Sequence, residues 1–233
     1  INDILLTFDD DNNQKATLTV GNSSGNNITL NKDILSNNSE NTVTFTGSSN
    51  VDFKGKFDPA SAEVAMDSMD AVVMRSNQDT AINWKLTNGT LYYTNDAYLA
   101  GGTNSMNFNG GNLDLRNFSA NTINLKNITL SKDSNIFIDA DLANRKIDNF
   151  GSSSATVIDG AKLHIAGLNI LSLPNKNDKS ISINFTQDKN LKKAVDYIGS
   201  DVAYSPIFKY AVDYNSESGN LNFAKDLQTP SNP

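Results

Sequence analysis

Apolar and polar residues alternate along short segments through most of this chain, which is the pattern of β-strands that bury one face. The alternation is densest in a stretch where four such segments follow one another, at residues 112–115, 122–125, 128–130 and 135–138. The polar gaps between them are too short to hold helices. Short strands joined by Asn- and Gly-rich corners predict an all-β fold, a parallel β-helix in which each turn buries its inward side chains against the next.

One segment departs from this rhythm. Asp58 and Pro59 form a favourable helix start, with a capping carboxylate and a proline at the first helical position. The Ala and Met residues that follow favour a helix, so we expect a short helical excursion from the coil at residues 58–74. The coil as a whole is predicted to occupy residues 1–135.

Beyond the coil, the pattern predicts a C-terminal cap. Residues 188–198 predict a helix that begins at a capping aspartate and carries one apolar face. Residues 207–214 and 219–223 predict a hairpin. A β-helix needs such a cap because an open last turn exposes core side chains and unpaired backbone. We therefore expect a β-rich cap over residues 136–226 and a linker over residues 227–233.

Composition supports strands and corners rather than helices. The chain holds 35 Asn and 23 Asp but only 3 Glu and 3 Arg. Asn and Asp favour turns, whereas Glu and Arg favour helices. A net charge of −7 with dispersed lysines argues against a nucleic-acid partner. No apolar run reaches the length of a membrane-spanning helix, so none is expected.

The absence of cysteine has two interpretations. It fits a protein kept in a reducing cytosol. It also fits a surface protein that crosses an oxidising compartment unfolded, where premature disulfides would block export. Together with the bias toward Asn, Ser, Thr and Asp, it favours the secreted interpretation. Because Ile1 is not a start methionine, the chain is expected to be a fragment of a longer product.

Two stretches carry a resemblance to a known family. Residues 135–142 and 146–147 combine a small polar residue, alternating apolar residues and an Asp-Leu pair with a polar turn and a Lys-Ile strand. Residues 210–223 place a tyrosine-bearing strand and a hairpin just before a segment rich in Pro, Ser and Asn. In these features the chain resembles the C-terminal part of a bacterial autotransporter passenger, the pertactin-like region that contains the autochaperone segment.

The resemblance implies a right-handed β-helix that is exported through the outer membrane and displayed on the cell surface as a non-catalytic adhesin. It implies a β-barrel translocator as a partner, following this fragment, and a host-surface protein or glycan as a ligand. It also implies that the cap folds first and templates the coil, and it implies no cofactor. The residues that match the cap pattern are Phe137, Ile138, Asp141, Leu142, Ile147, Tyr210, Leu221 and Phe223.

Signals for catalysis are weak in this sequence. His164 is the only histidine and lies in an alternating strand with no nucleophile motif nearby, so we interpret it as a surface imidazole. With one histidine and no cysteine, a zinc site is not expected. Neighbouring carboxylates keep a β-helical carbohydrate-active enzyme open as an alternative. These carboxylates are Asp9, Asp10, Asp11, Asp67, Asp70, Asp139 and Asp141.

Aromatic residues in the middle of the chain are candidates for contact with a ligand. Trp84, Tyr92, Tyr93 and Tyr98 could form a strip on which sugar rings stack. Strand alternation places only one of the two adjacent tyrosines inward, so the other must face outward. A phage or surface fibre, which would form a tight trimer, is a further alternative that the sequence leaves open.

Overall fold

The computed structural model of the chain describes residues 3–21, 24, 26–47, 50–74 and 81–228. Regular structure in this part of the chain is almost entirely β. The strands are β1 (Ile4–Leu6), β2 (Thr17–Val20), β3 (Ile28–Leu30), β4 (Ile34–Ser36), β5 (Thr42–Gly47), β6 (Val51–Phe53), β7 (Phe57–Asp58), β8 (Glu63–Met74), β9 (Asn83–Tyr93), β10 (Ser105–Asn109), β11 (Asn112–Asp114), β12 (Thr122–Ile123), β13 (Asn127–Lys132), β14 (Ser134–Asp141), β15 (Lys146–Ile147), β16 (Asn149–Phe150), β17 (Ser154–Val157), β18 (Leu163–Ser172), β19 (Ser180–Asn184), β20 (Val195–Tyr197), β21 (Val202–Ala203), β22 (Phe208–Asn215) and β23 (Asn220–Leu227). A 3-10 helix spans Asp96–Tyr98 and an α-helix, α1, spans Leu191–Ala194.

Most strands pair in parallel with the strand one turn away, so the chain winds into a solenoid with three faces. Face one consists of β2, β5, the N-terminal halves of β8 and β9, β10, β13 and β17. Face two consists of β3, β6, the C-terminal halves of β8 and β9, β11, β14, β18 and β20. Face three is shorter and contains β1, β4, β7, β12 and β16. The predicted parallel β-helix is confirmed, and its right-handed winding stays a prediction.

Inward side chains of successive turns stack in register, and these columns form the core. On face one, a column runs through Val43, Val64, Trp84, Met106 and Ile128. Each of these residues is at most 1% exposed. Burying a side chain of this size contributes about 1.5–3 kcal/mol. Because each turn packs mainly on its two neighbours, the stabilisation accumulates turn by turn along the solenoid.

The helix predicted for residues 58–74 is wrong. The chain turns at Ala60 and Ser61, with φ angles of 52° and 64°, and continues as the strand β8. Val64 and Met66 point inward at alternate positions and are fully buried. Parallel pairing with β5 on one side and β9 on the other satisfies the strand backbone. This tertiary pairing overrides the helix propensity of Ala and Met.

The helix predicted for residues 188–198 is reduced to the single turn α1. Its expected cap is present, because the Asp188 carboxylate accepts the backbone N–H of Leu191 at 2.8 Å. The chain then becomes strand β20, which pairs in parallel with β18. The edge of β18 offers backbone partners to the β-branched Val195, and this pairing competes successfully with a longer helix.

A small antiparallel sheet closes the C-terminal end of the solenoid, in the order β19, β23, β22 and β21. The predicted hairpin is confirmed as β22 and β23. Gly219 lies at its turn with φ of 75°, and a Cβ there would meet the Thr186 carbonyl oxygen at 2.1 Å. The backbone N–H of Phe185 donates to Gly219 O at 2.8 Å, and the Tyr214 hydroxyl donates to Lys192 O at 2.6 Å. The first bond continues the pairing between β19 and β23. The second, together with the bond from the Phe150 N–H of β16 to Phe185 O at 2.9 Å, attaches the sheet to the end of the coil.

The residues that match the autotransporter cap pattern lie partly in the solenoid and partly in the C-terminal antiparallel sheet. Six of them are buried: Ile138, Leu142, Ile147, Tyr210, Leu221 and Phe223. Phe137 and Asp141 are half-buried on the outside of β14. Parallel pairing continues past residue 136 as far as β20. The division into a coil over 1–135 and a folding cap over 136–226 stays a prediction, and residues 229–233 of the expected linker lie outside the described part of the chain.

Candidate binding groove

The outside of face two carries a column of large side chains beside a loop. Tyr92 on β9, Asp114 on β11 and Phe137 on β14 occupy successive turns in register. Their side chains point outward because their neighbours Leu91, Leu113 and Ile136 point into the core. The column therefore presents two aromatic rings and a carboxylate on one surface.

Arg116 folds back over this column. Its Nε and Nη2 atoms donate to the two carboxylate oxygens of Asp114, each at 3.0 Å, which is a bidentate ion pair. Its guanidinium carbon lies 4.5 Å from the centroid of the Phe137 ring. The hydrogen bonds that Arg116 donates to Asp114 raise the pKa of Arg116 above its usual value. The guanidinium is therefore fixed by one carboxylate and one ring at the edge of the surface.

The loop after β11 is anchored by the buried carboxylate of Asp139. One oxygen of Asp139 accepts the backbone N–H groups of Asn117 at 2.8 Å and Ser119 at 3.1 Å. The other oxygen accepts the side-chain amide of Asn169 on β18 at 2.9 Å. Phe118, between the two anchored residues, is forced to a φ of 66° and its side chain is 79% exposed. A non-glycine residue in this left-handed region is strained by about 1–3 kcal/mol.

Two further buried carboxylates, those of Asp96 and Asp148, also accept hydrogen bonds from this loop. Asp96 accepts the side-chain amides of Asn117 and Asn121, each at 2.7 Å. Asp148 accepts the backbone N–H groups of Asn121 at 3.0 Å and Asp139 at 2.8 Å. Burial, and next the charge of Asp96, raise the pKa of Asp148 to about 9. Burial also raises the pKa of Asp96, so this pair retains a proton at neutral pH.

This buried pair predicts how stability changes with pH. Asp148 is protonated in the folded chain but ionised in the unfolded chain between its ordinary pKa of 3.8 and about 9. Unfolding therefore releases a proton in this window, and the free energy of unfolding should fall as pH rises from 5 to 9. The slope should approach about 1.4 kcal/mol per pH unit for one proton. Urea denaturation at each pH measures it.

The matched variant for this measurement is Asp148→Asn, which cannot titrate. Whatever its stability at pH 5, its free energy of unfolding should depend less steeply on pH than that of the wild type. Stability that stays level or rises between pH 5 and 9 in the wild type would contradict a shared proton at this site.

Tyr92 and Asp114 of the column, the loop and β18 border an open surface groove of about 490 Å³. Its lining includes the rings of Tyr92 and Phe118, the Asp114–Arg116 ion pair, and Asn169. A volume of this size is typical of sites for small ligands, which combine apolar walls with a few fixed polar groups. We refer to it as the face-two groove.

The predicted aromatic strip is wrong for two of its four members. Trp84 and Tyr93 are each 1% exposed, and the Trp84 indole N–H donates to the Tyr93 hydroxyl at 2.8 Å inside the core. Both sit at inward positions of β9, where alternation directs them to the interior. Tyr92 lines the face-two groove, whereas Tyr98 packs partly against the core away from it. A ligand role for Tyr92 and Tyr98 stays a prediction.

Arg116, Phe118 and Asn169 are groove residues that the sequence interpretation did not single out. A large apolar residue between Asn117 and Ser119, outside any alternating segment, is the signal that could have identified Phe118. The proximity of Asn169 follows from the register between β14 and β18, which sequence alone does not give. The loop is thus recognisable as an element, but its partners are not.

Three of the remaining polar candidates, His164, Asp141 and Asp9, have structural partners, whereas the side chain of Asp70 lies outside the described part of the chain. His164 faces outward from β18, as predicted, and its Nδ1 atom lies 2.5 Å from a carboxylate oxygen of Asp196 on the next turn. Asp141 accepts hydrogen bonds from the Ser172 hydroxyl and from Asn144, and Asp9 accepts the backbone N–H of Asp11 at 3.1 Å. Within the described residues, no three His, Cys, Asp or Glu side chains are grouped so as to hold a metal ion.

Comparison with known proteins does not assign this chain to a family. No protein-family model matches its sequence, and no match is found among curated proteins or solved structures. In the part of the chain that the structure describes, no helix is long and apolar enough to cross a membrane. The fold is a parallel β-solenoid of about five turns with a C-terminal antiparallel sheet.

Proposed function

We propose that this chain is a non-catalytic segment of a secreted surface passenger of the autotransporter type, in which the C-terminal sheet templates folding of the solenoid. The observation that supports it most is the change of pairing at the C-terminal end. Every turn of the coil pairs in parallel with its neighbours, whereas β19, β23, β22 and β21 form an antiparallel sheet of their own. The resemblance of residues 135–147 and 210–223 to the autochaperone pattern points to the same role.

Such a sheet would fold first because its strands are close in sequence. The β22–β23 hairpin joins residues close in sequence through the turn at Gly219, so its loop-closure entropy is small. A parallel turn of the coil must instead bring together strands more than 20 residues apart, such as β10 and β13. A preformed sheet at one end offers the next turn both a core surface and a fixed edge, and folding can then propagate from neighbour to neighbour.

The chemistry of the described residues supports a non-catalytic role. The buried carboxylates of Asp96, Asp139 and Asp148 are occupied in holding the loop that bears Phe118. His164 is paired with Asp196 on the outer surface. These groups therefore have structural partners that account for their positions without a reaction.

The surface location is tested by mild proteolysis of intact cells that express the full-length gene product. Peptides from the described region should be released into the medium while a cytoplasmic marker protein remains intact. Release only after cell lysis would contradict a surface passenger and would favour an intracellular solenoid. Sedimentation of the isolated chain provides a second readout, because a tight trimer would favour a fibre instead.

A further inference from the structure

We propose that the face-two groove binds one neutral sugar unit of a glycan, with its apolar face against Phe118 and Tyr92 and its hydroxyl groups at the Asp114–Arg116 pair. This inference rests on the proposed surface role for the origin of the ligand. It rests on the groove itself for the chemistry.

The apolar part of the groove includes a strained residue, Phe118, which lowers the stability of the fold. Phe118 combines a left-handed backbone with a ring that is 79% exposed, so neither local conformation nor burial accounts for a phenylalanine there. The Oδ1 atom of its neighbour Asn117 is buried with no hydrogen-bond partner among the described residues. Strain and unsatisfied groups of this kind concentrate at sites with a function beyond stability.

Carbohydrates match such a surface because a pyranose ring has an apolar face of C–H groups and an edge of hydroxyl groups. Phe118 and Tyr92 both line the groove and can present ring surface to the C–H face. Both oxygens of Asp114 and two nitrogens of Arg116 are fixed in one bidentate pair. A sugar hydroxyl can donate to the carboxylate and accept from the guanidinium without any rearrangement of these groups.

The charges around the groove specify a neutral sugar. The positive charge of Arg116 is compensated by Asp114 at 3.0 Å and further by the nearby buried Asp139. The chain carries a net charge of −7, so the long-range field also repels anions. Among the described residues that line the groove, Arg116 is the one cation and it is already paired with Asp114. A sialylated or sulfated unit should therefore bind more weakly than its neutral parent.

The test uses the whole chain and defined probes. Lactose, N-acetyllactosamine and chitobiose are titrated against the protein by ligand-observed NMR, alongside sialyllactose and sulfated lactose. We expect saturation transfer from the protein to at least one neutral disaccharide, with contact on the C–H face, and weaker transfer to the charged derivatives. Absence of transfer to every neutral probe, or a preference for the charged ones, would overturn the proposal.

Two variants locate the binding. Phe118→Gly removes the ring and suits the left-handed backbone, so the fold should be retained while affinity falls by about tenfold or more. Leu5→Ala, which truncates an apolar side chain on β1 that is 68% exposed, is the matched control and should bind as the wild type does. Equal binding by the wild type and Phe118→Gly would place the sugar elsewhere and refute the assignment. Sugar binding and refolding are measured in separate experiments. A chain that binds no sugar can still refold from its C-terminal sheet, so failure of the sugar proposal is distinguishable from failure of the templating role.

Discussion

A chain that lacks residues 202–228, which form three of the four strands of the C-terminal sheet, is expected to collapse without recovering the solenoid after dilution from denaturant. Without β22 and β23, strand β19 loses its partner and the end of the coil loses the contacts made by Gly219 and Tyr214. Any turn that forms first must then pay the full loop-closure entropy with no template. Far-ultraviolet circular dichroism and the fluorescence of Trp84, which is the only tryptophan, report recovery.

The control for this truncation removes a comparable length from the other end, residues 1–30. This deletion takes away β1, β2 and β3 but leaves the later turns and the antiparallel sheet intact. It should lower stability by the burial lost from one turn, while refolding still reaches the native fluorescence. Equal recovery by the two truncated chains would contradict a special role for the C-terminal sheet.

Replacing Trp84 by alanine is expected to lower the free energy of unfolding by about 3–5 kcal/mol, because a large cavity opens in a packed core. The Trp84 ring has Phe45 and Phe57 at centroid distances of 6.3 Å each and Tyr93 at 6.5 Å. The substitution also leaves the buried Tyr93 hydroxyl without the indole N–H that now donates to it. Urea denaturation followed by circular dichroism measures the loss.

Tyr92→Ala provides the contrast for the Trp84 substitution. Tyr92 lies on the same strand, one position from Tyr93, but on the outward side. Its truncation should therefore cost distinctly less than that of Trp84. Similar losses for the two variants would mean that the assignment of inner and outer faces of β9 is wrong.

Most of the fold could be predicted from sequence because period-two alternation is local information. Residues such as Val43 and Phe45 alternate with threonines, and the strand there follows from that pattern alone. The prediction was wrong around Met66 because the local propensity of this stretch favours a helix. The hydrogen-bonding partners that make it a strand lie on β5 and β9, one turn away in each direction. The same competition shortened the helix at Leu191.

The candidate site was less accessible to sequence reasoning, for a different reason. Asp139 and Asp148 are joined by the antiparallel pairing of β14 and β15, but Asp96 is distant in sequence from both. Only the winding of the coil brings Asp96 to the same loop. A sequence dense in Asp gives no reason to separate these three from corner aspartates such as Asp9. The sequence does not give the register of strands on neighbouring turns. A shift of this register by one residue would exchange the buried side chains and the outward side chains.

The central claim, that folding starts at the C-terminal sheet, is tested most directly by comparing two conservative substitutions in refolding kinetics. Phe223 in β23 and Phe45 in β5 are both fully buried, and both can be changed to leucine. If the sheet forms first, Phe223→Leu should slow refolding by nearly the factor by which it weakens the folding equilibrium constant. Phe45→Leu should leave the refolding rate unchanged and accelerate unfolding instead. The reverse pattern, with slowed refolding only for Phe45→Leu, would contradict the account.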